Sequence, residues 1–154
     1  MTDIVGCLAC DLAHGRIEPP GGTICAEGGW VVEQCVGPLG TGTLIVKPFR
    51  HVTHVWELTE GEAAALGPLL RRTSAVIADL LHPDQVYVCL WSHAGWTAGH
   101  SHFVLQPVWN AQREAHDLPG PYLQAEMFAE NAAPDREAMA AFAGRARALL
   151  SPAG

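Results

Sequence analysis

Residues 95–107 have the sequence GWTAGHSHFVLQP, in which a glycine-rich loop leads into a predicted strand. Side chains of a strand alternate between its two faces, so His100, His102, Val104 and Gln106 share one face. The two imidazoles therefore lie side by side, which suits metal binding by one ring and nucleophilic or acid–base chemistry by the other. Two alternate histidines in a strand are also compatible with a purely structural role, so this motif assigns a function only together with other motifs of the chain.

The remaining segments predict an α+β fold with an antiparallel sheet of about five strands. Apolar and β-branched runs separated by Gly/Pro turns predict strands at residues 23–26, 30–36, 43–47, 85–91 and 100–106. The last two are expected to pair as neighbours, across the glycine-rich loop.

One long helix and a C-terminal helix complete the predicted fold. Thr59 and Glu62 have the capping-box spacing, which predicts a helix from about residue 60 to 81, kinked at Pro68. Apolar residues at helical spacing predict a second helix from about residue 135 to 150. The residues expected on its buried side are Met139, Phe142, Ala146 and Leu149. No element is assigned to residues 108–133.

Length and composition predict a single domain over residues 1–154, whose 49% hydrophobic content is ordinary for a globular chain. The net charge of -7, with only 9 basic residues, leaves no basic cluster for a long nucleic acid. Neither a signal segment nor an apolar run of membrane-spanning length is recognised, so we expect a cytoplasmic protein with no membrane partner.

A pair of cysteines, Cys7 and Cys10, has the spacing that lets two thiolates converge on one zinc ion. A structural zinc needs two further ligands, and His51 or His54 after the third strand could supply one. The Cys-x-x-Cys pair is alternatively a redox pair, although no strand-then-helix context surrounds it. Cys25, Cys35 and Cys89 lie in apolar segments and are interpreted as small core residues.

Taken in order, these motifs resemble the histidine-triad (HIT) superfamily over residues 7–107, with residues 108–154 as a C-terminal extension. The Cys-x-x-Cys pair is followed by a hairpin, then by a Pro-x-x-His at Pro48–His51, then by a long helix and the stretch from Gly95 to Pro107. The combined order is far more specific than any one of the motifs.

The resemblance implies a structural zinc and a catalytic histidine. By analogy with zinc-bearing members, the zinc ligands are Cys7, Cys10, His51 and His100. His102 matches the nucleophile that forms a covalent phosphoramidate with a nucleotide-like phosphate ester. The resemblance also implies a homodimer.

The chain departs from the family pattern at four positions. Val104 replaces the third histidine, Trp96 a glutamine, Leu90 or Trp91 an asparagine, and Cys35 the acidic residue that grips a ribose. The lost polar groups bind the phosphate or the sugar in the family, and loss of the phosphate-binding ones removes stabilisation of the reacting phosphate, so an atypical substrate is expected.

The predicted substrate-binding residues flank or follow the glycine-rich loop, and they are His93, Trp96, Thr97 and Gln106. Gln106 is the candidate to replace the third histidine, His93 is a candidate acid, and the indoles of Trp91 and Trp96 can stack on an aromatic group. The same indoles fit a core or an interface equally well.

Three functions therefore remain open from the sequence. The first is a hydrolase or nucleotidyltransferase acting on a small phosphate ester through His102. The second is a non-catalytic, zinc-stabilised binding module that kept the fold, and the third is a metallohydrolase with a catalytic zinc.

Overall fold

The computed structural model describes residues 3–94 and 97–151, and it confirms the predicted α+β fold. Five strands form one sheet in the order β1-β2-β3-β5-β4, with every neighbouring pair antiparallel. The strands are β1 (Cys25–Glu27), β2 (Trp30–Gln34), β3 (Leu44–Pro48), β4 (Gln85–Ala94) and β5 (Thr97–Val108). As predicted, β4 and β5 pair as neighbours.

Five α-helices accompany the sheet in the described part of the chain: α1 (Leu8–Ala13), α2 (Glu60–Leu81), α3 (Asn110–His116), α4 (Pro121–Glu130) and α5 (Arg136–Leu150). A short 3-10 helix covers Val55–Glu57. The bounds predicted for α2 agree with the structure, because Thr59 and Glu62 form the expected reciprocal capping box. The unassigned segment contains α3 and α4, whose short lengths and proline-interrupted sequence hid their periodicity.

The main hydrophobic core lies between one face of the sheet and helices α2 and α5. Alternate strand residues supply the sheet side of this core, and they include Trp30, Val32, Leu44, Val46 and Leu105. The predicted buried stripe of α5 is wrong at one position, since Leu149 is 53% exposed while its neighbour Leu150 is buried. Ala143 is also fully buried, so the buried stripe of α5 passes through Ala143 and Leu150 and not through Leu149.

The opposite face of the sheet carries the side chains of the candidate functional site. Residues one position out of phase with the core, including Glu33, Ile45, Lys47 and Val104, point to this face. Helix α1 and helix α4 lie over it, since their side chains join the same clusters and cavity. This second face is therefore a layer between a sheet and two short helices.

Candidate metal centre and active-site cavity

Four side chains from three separate parts of the chain converge at one edge of the second face. The donor atoms of Cys7, Cys10, His51 and His100 all lie within 4.8 Å of one another. Cys10 Sγ lies 3.3 Å from His51 Nδ1 and 3.4 Å from His100 Nδ1, and Cys7 Sγ lies 3.9 Å from His100 Nδ1. His54, the alternative candidate ligand, stacks on Trp56 instead.

Local folding brings these residues together. Cys7 is the residue before α1 and Cys10 lies in its first turn, so one helical turn places both thiols on the same side. His51 follows the end of β3, and His100 lies near the start of β5. The loop after β3 is fastened to β5 because Ser101 N donates to Val52 O over 2.7 Å.

His100 is held in a neutral form with one nitrogen available for a metal. Its Nε2 lies 2.9 Å from the carbonyl oxygen of Pro48, an acceptor, so the ring proton lies on Nε2 and the Nδ1 lone pair faces the thiols. Burial lowers the pKa of His100 to about 4. A neutral imidazole oriented by its second nitrogen is the form that binds zinc.

The cluster fits a zinc ion on the chemistry and spacing of its donors. With Zn–S bonds of about 2.3 Å and Zn–N bonds of about 2.0 Å, tetrahedral coordination separates the donor atoms by roughly 3.5–3.8 Å. The observed separations of 3.3, 3.4 and 3.9 Å fall outside that range by only about 0.2 Å or less, so a small adjustment of side chains would accommodate the ion. Four donors complete the tetrahedron, which is the pattern of a structural site with no open position.

An ion pair secures the loop that carries His51. Arg50 Nε and one terminal nitrogen donate to Glu62 Oε1 and Oε2, each over 2.8 Å, and so tie the loop to the start of α2. The Arg50 guanidinium lowers the pKa of Glu62 to about 2. The loop position therefore depends on an ionised carboxylate.

We predict that Glu62→Gln costs ~2 kcal/mol of unfolding free energy at neutral pH. The folded-state pKa is depressed, so this stability is present above the usual pKa of 4.5 and is lost as the pH falls toward about 2. Urea unfolding of both proteins as a function of pH measures the difference. An equal gap between variant and wild type at pH 2.5 and pH 7 would contradict the assignment.

His102 lies beside the metal cluster but is not part of it. Its Nδ1 lies 2.9 Å from the carbonyl oxygen of His100, so Nδ1–H donates and Nε2 keeps a free lone pair. Burial lowers the pKa of His102 below that of a free imidazole. The ring is therefore neutral at physiological pH, and a neutral ring is the nucleophilic form.

His102 lines a cavity of about 340 Å³ between the sheet and helices α1 and α4. The cavity wall is mostly apolar: α1 contributes Leu8, Ala9 and Leu12, and the strands and the turn after β2 contribute Cys35, Val36, Gly37, Pro38 and Ile45. Phe128 of α4 closes one side. Two charged side chains, Glu33 and Lys47, share the wall with His102.

Burial acts on both members of this charged pair. Lys47 Nζ donates a short hydrogen bond to Glu33 Oε1, and both side chains are 1% exposed. Burial lowers the pKa of Lys47 and raises the pKa of Glu33, while the contact between them opposes both shifts. Sequence inspection missed this pair, because a lone Glu and a lone Lys in apolar strands give no motif.

The other predicted substrate-binding residues lie elsewhere or outside the described residues. Gln106 is fully buried, and its Nε2 faces Met127 Sδ at 3.2 Å, outside the described cavity lining. His93 is exposed on β4 and does not belong to that lining either. Trp96 and the side chain of Thr97 lie outside the described residues, so their predicted contacts with substrate stay predictions.

Trp91 supports helix α4 rather than the described cavity wall. Its Nε1 donates to Gln124 Oε1 over 2.8 Å, and its ring meets Phe128 edge-on with centroids 5.3 Å apart. Helix α4 is thus anchored on the sheet through an indole, and it places Phe128 at the cavity. The segment left unassigned in the sequence therefore helps to form the candidate site.

Comparisons with known proteins find solved structures with a similar fold, although no family model and no curated protein matches the chain. A Zn-bound histidine triad family protein from Mycobacterium smegmatis is 18% identical, with a TM-score of 0.69 over 97% of this chain and 98% of that one. A Hit-like protein involved in cell-cycle regulation from Bartonella henselae is 13% identical, with a TM-score of 0.71 over 97% and 100%.

A third similar structure is a hypothetical histidine triad nucleotide-binding protein from Sulfolobus tokodaii, 16% identical, with a TM-score of 0.68 over 92% of this chain and 90% of that one. At these identities the likeness concerns the fold. It extends well beyond residues 7–107, because each match covers more than nine tenths of the chain.

Proposed function

We propose that this chain, which has the fold of the histidine-triad proteins, is a hydrolase or nucleotidyltransferase that acts on a nucleotide-like small phosphate ester through His102. One observation carries the proposal: His102 lines a cavity, and because its Nδ1 is fixed on a backbone carbonyl, Nε2 keeps a free lone pair. A neutral imidazole held in this way is poised for nucleophilic attack. The Sulfolobus tokodaii protein, named as nucleotide-binding, supports the substrate class.

The proposed reaction has two steps, formation of a covalent intermediate on His102 and its breakdown. The Nε2 lone pair of His102 forms a P–N bond while the bond between phosphorus and the leaving group breaks, and the leaving group departs with that electron pair and takes a proton from solvent. Water or another hydroxyl then attacks phosphorus, the P–N bond breaks, and the proton of the attacking group passes to solvent. His102 returns to its neutral form, as covalent catalysis requires.

The metal cluster has a structural part in this proposal. Cys7, Cys10, His51 and His100 would hold a zinc ion, which supplies folding energy by tying α1 to the loop after β3 and to β5. His100 links the two sites, because its carbonyl oxygen accepts a hydrogen bond from His102 Nδ1–H. The strand that carries this zinc ligand therefore also orients the ring of the nucleophile, through a backbone carbonyl.

The test is a search for a covalent adduct. Zinc-loaded protein is incubated with a panel of labelled nucleoside phosphoramidates and nucleotide phosphosulfates, quenched, and analysed by intact and peptide mass spectrometry. We expect the mass of a nucleotidyl group on the peptide that contains His102. Adducts on another residue, or no adduct across the panel in the presence of turnover, would contradict the covalent route.

A non-catalytic binding module is the second candidate, and one observation favours it. Val104, at the position of the third histidine, is buried against Cys35, Leu39 and Ile45, so no donor reaches the cavity from that site. Tight nucleotide binding with neither adduct nor turnover would select this function.

A homodimer in the cytoplasm completes the proposal. Strand β4 forms one edge of the sheet and exposes Val88 and Leu90, an apolar edge that a second copy can extend. None of the helices in the described ranges has the length and apolar content to cross a membrane. Light scattering of the purified protein tests the dimer, and a monomer at micromolar concentration would contradict it.

A further inference from the structure

The candidate cavity contains a buried ion pair that attack by His102 does not use. Glu33 on β2 and Lys47 on β3 both line this cavity, and each side chain is 1% exposed. Lys47 is also the sole lysine of the 154-residue sequence. A chain that places its single lysine in the interior, beside a reactive histidine, has a specific use for that charge.

The hydrogen bonding of this pair is incomplete. Glu33 Oε2 has no hydrogen-bond partner among the described residues. An ammonium carries three N–H donors, and the described residues supply one acceptor for Lys47, Glu33 Oε1. Buried polar atoms without partners are costly, so the open acceptor and the open donors fit a ligand that supplies the complementary atoms.

Stability alone does not account for the pair. Desolvation of two charges generally offsets their attraction, and apolar residues of similar volume often replace a buried ion pair without loss of stability. The pair therefore points to recognition of a ligand.

The sheet register places the ammonium next to the nucleophile. The pairing of β3 with β5 ends at Val46 and Phe103, so the next residues along, Lys47 and His102, are neighbours on the second face. Glu33 lies one strand further, on β2, whose residue Val31 pairs with Lys47. The order across the face is thus nucleophile, ammonium, carboxylate.

We propose that Lys47 and Glu33 are the specificity-determining residues of this site, with Lys47 donating to a non-bridging phosphoryl oxygen and Glu33 Oε2 accepting a hydrogen bond from the organic part of the substrate. This inference rests on the proposed function. It defines the substrate class as a phosphate ester whose organic part carries a hydroxyl or N–H donor near phosphorus. A second anionic group at that position is excluded by the carboxylate.

The pair also compensates for the departures from the family pattern. The polar group expected at Cys35 is absent, and Glu33 lies two residues before it, near the end of β2. Lys47 supplies a positive charge beside His102 where Val104 supplies no donor. The polar contacts are thereby relocated toward β2 and β3.

The main test uses a double variant, Glu33→Leu/Lys47→Met, which replaces the pair with apolar side chains of similar volume. We expect a melting temperature equal to or above that of the wild type. The affinity for the tightest-binding of AMP, GMP, CMP and UMP, measured by calorimetry, is expected to fall on the order of 10²-fold, since charge-assisted contacts are lost. Wild-type affinity in the folded double variant would overturn the inference.

A single variant, Glu33→Gln, covers the case in which the double variant does not fold. The amide keeps an oxygen for Lys47 but presents an NH₂ donor in place of the open acceptor Oε2. We expect about a 10-fold loss of affinity for the same nucleotide, because two donors then face each other. Unchanged affinity would overturn the part assigned to Glu33.

Two further ligands identify the donor that Glu33 accepts. If the donor is a sugar hydroxyl, the 2′,3′-dideoxy form of the chosen nucleotide binds the wild type more weakly, and the difference disappears in the double variant. If the donor is a base N–H, the abasic ribose 5-phosphate shows that behaviour instead. For each ligand, the ratio of its affinity to that of the chosen nucleotide is compared between the wild type and the double variant. If this ratio is the same in both proteins for both ligands, the role of Glu33 is contradicted.

The outcome is separable from that of the proposed function. His102→Ala is expected to bind the nucleotide within a few fold of the wild type while forming no adduct. An adduct that forms equally in wild type and double variant refutes the inference and leaves the His102 chemistry standing. If nucleotide binding depends on Glu33 and Lys47 but the wild type forms no adduct, the His102 chemistry is refuted and the inference stands. Wild-type protein that neither binds a nucleotide nor gains thermal stability from inorganic phosphate refutes both.

Discussion

Replacement of His102 with alanine is expected to lower turnover of a nucleoside phosphoramidate by at least about 10³-fold, because the covalent route is lost with the nucleophile. His102 lines the cavity with its Nε2 lone pair free, whereas burial raises the pKa of the Cys35 thiol in the same wall and so keeps that thiol in its weakly nucleophilic protonated form. Substrate binding is expected to persist, since Glu33 and Lys47 are unchanged. The measurement is kcat and KM under steady-state conditions.

The matched control is His116→Ala, which removes an imidazole from α3, outside the described cavity lining. Its turnover is expected to equal that of the wild type. Zinc content must also be equal in all three proteins, so that the effect of His102 is separated from damage to the metal cluster. A His102→Ala variant within 10-fold of the wild type would contradict a nucleophilic role.

Replacement of Cys10 with serine is expected to abolish stoichiometric zinc binding and to lower the unfolding free energy by ~4 kcal/mol or more. Cys10 is fully buried and approaches both imidazoles of the cluster, so its loss removes the central ligand. For a chain of this length the change corresponds to a fall in melting temperature of roughly 10 °C. Metal analysis and thermal unfolding measure the two effects.

Cys89→Ser is the matched control, because Cys89 is a half-buried thiol on β4 outside the metal cluster. It is expected to keep one zinc ion per chain and to unfold within a few degrees of the wild type. A chelator should lower the melting temperature of the wild type and of Cys89→Ser, and should leave Cys10→Ser unchanged. A Cys10→Ser variant that retains stoichiometric zinc would contradict the assigned cluster.

Much of the fold was predictable because its signals are local. Alternation of apolar residues identified the strands, and the capping box at Thr59 and Glu62 fixed the start of α2. Strand alternation also placed His100 and His102 on one face, and the structure has them there with different surroundings. The four predicted metal ligands converge in the structure, although the presence of zinc stays a prediction.

The features that sequence inspection missed depend on tertiary packing. Helix α4 lacks a strong apolar stripe, and its position over the sheet is set by tertiary contacts such as the hydrogen bond between Trp91 and Gln124 and the packing of Met127. Glu33 and Lys47 lie 14 positions apart in separate apolar strands, and only the β2–β3 register makes them partners. Gln106 was predicted to bind substrate because it shares a strand face with His102. That pattern could not reveal that Met127 of α4 contacts the Gln106 side chain.

The division of labour between His100 and His102 is the central claim, and zinc K-edge X-ray absorption of the wild type and of His102→Ala tests it most directly. We predict the same spectrum from both proteins, with two sulfur ligands at about 2.3 Å and two nitrogen ligands at about 2.0 Å. Loss of a nitrogen ligand in His102→Ala, or an oxygen ligand in place of one of the four, would contradict the claim.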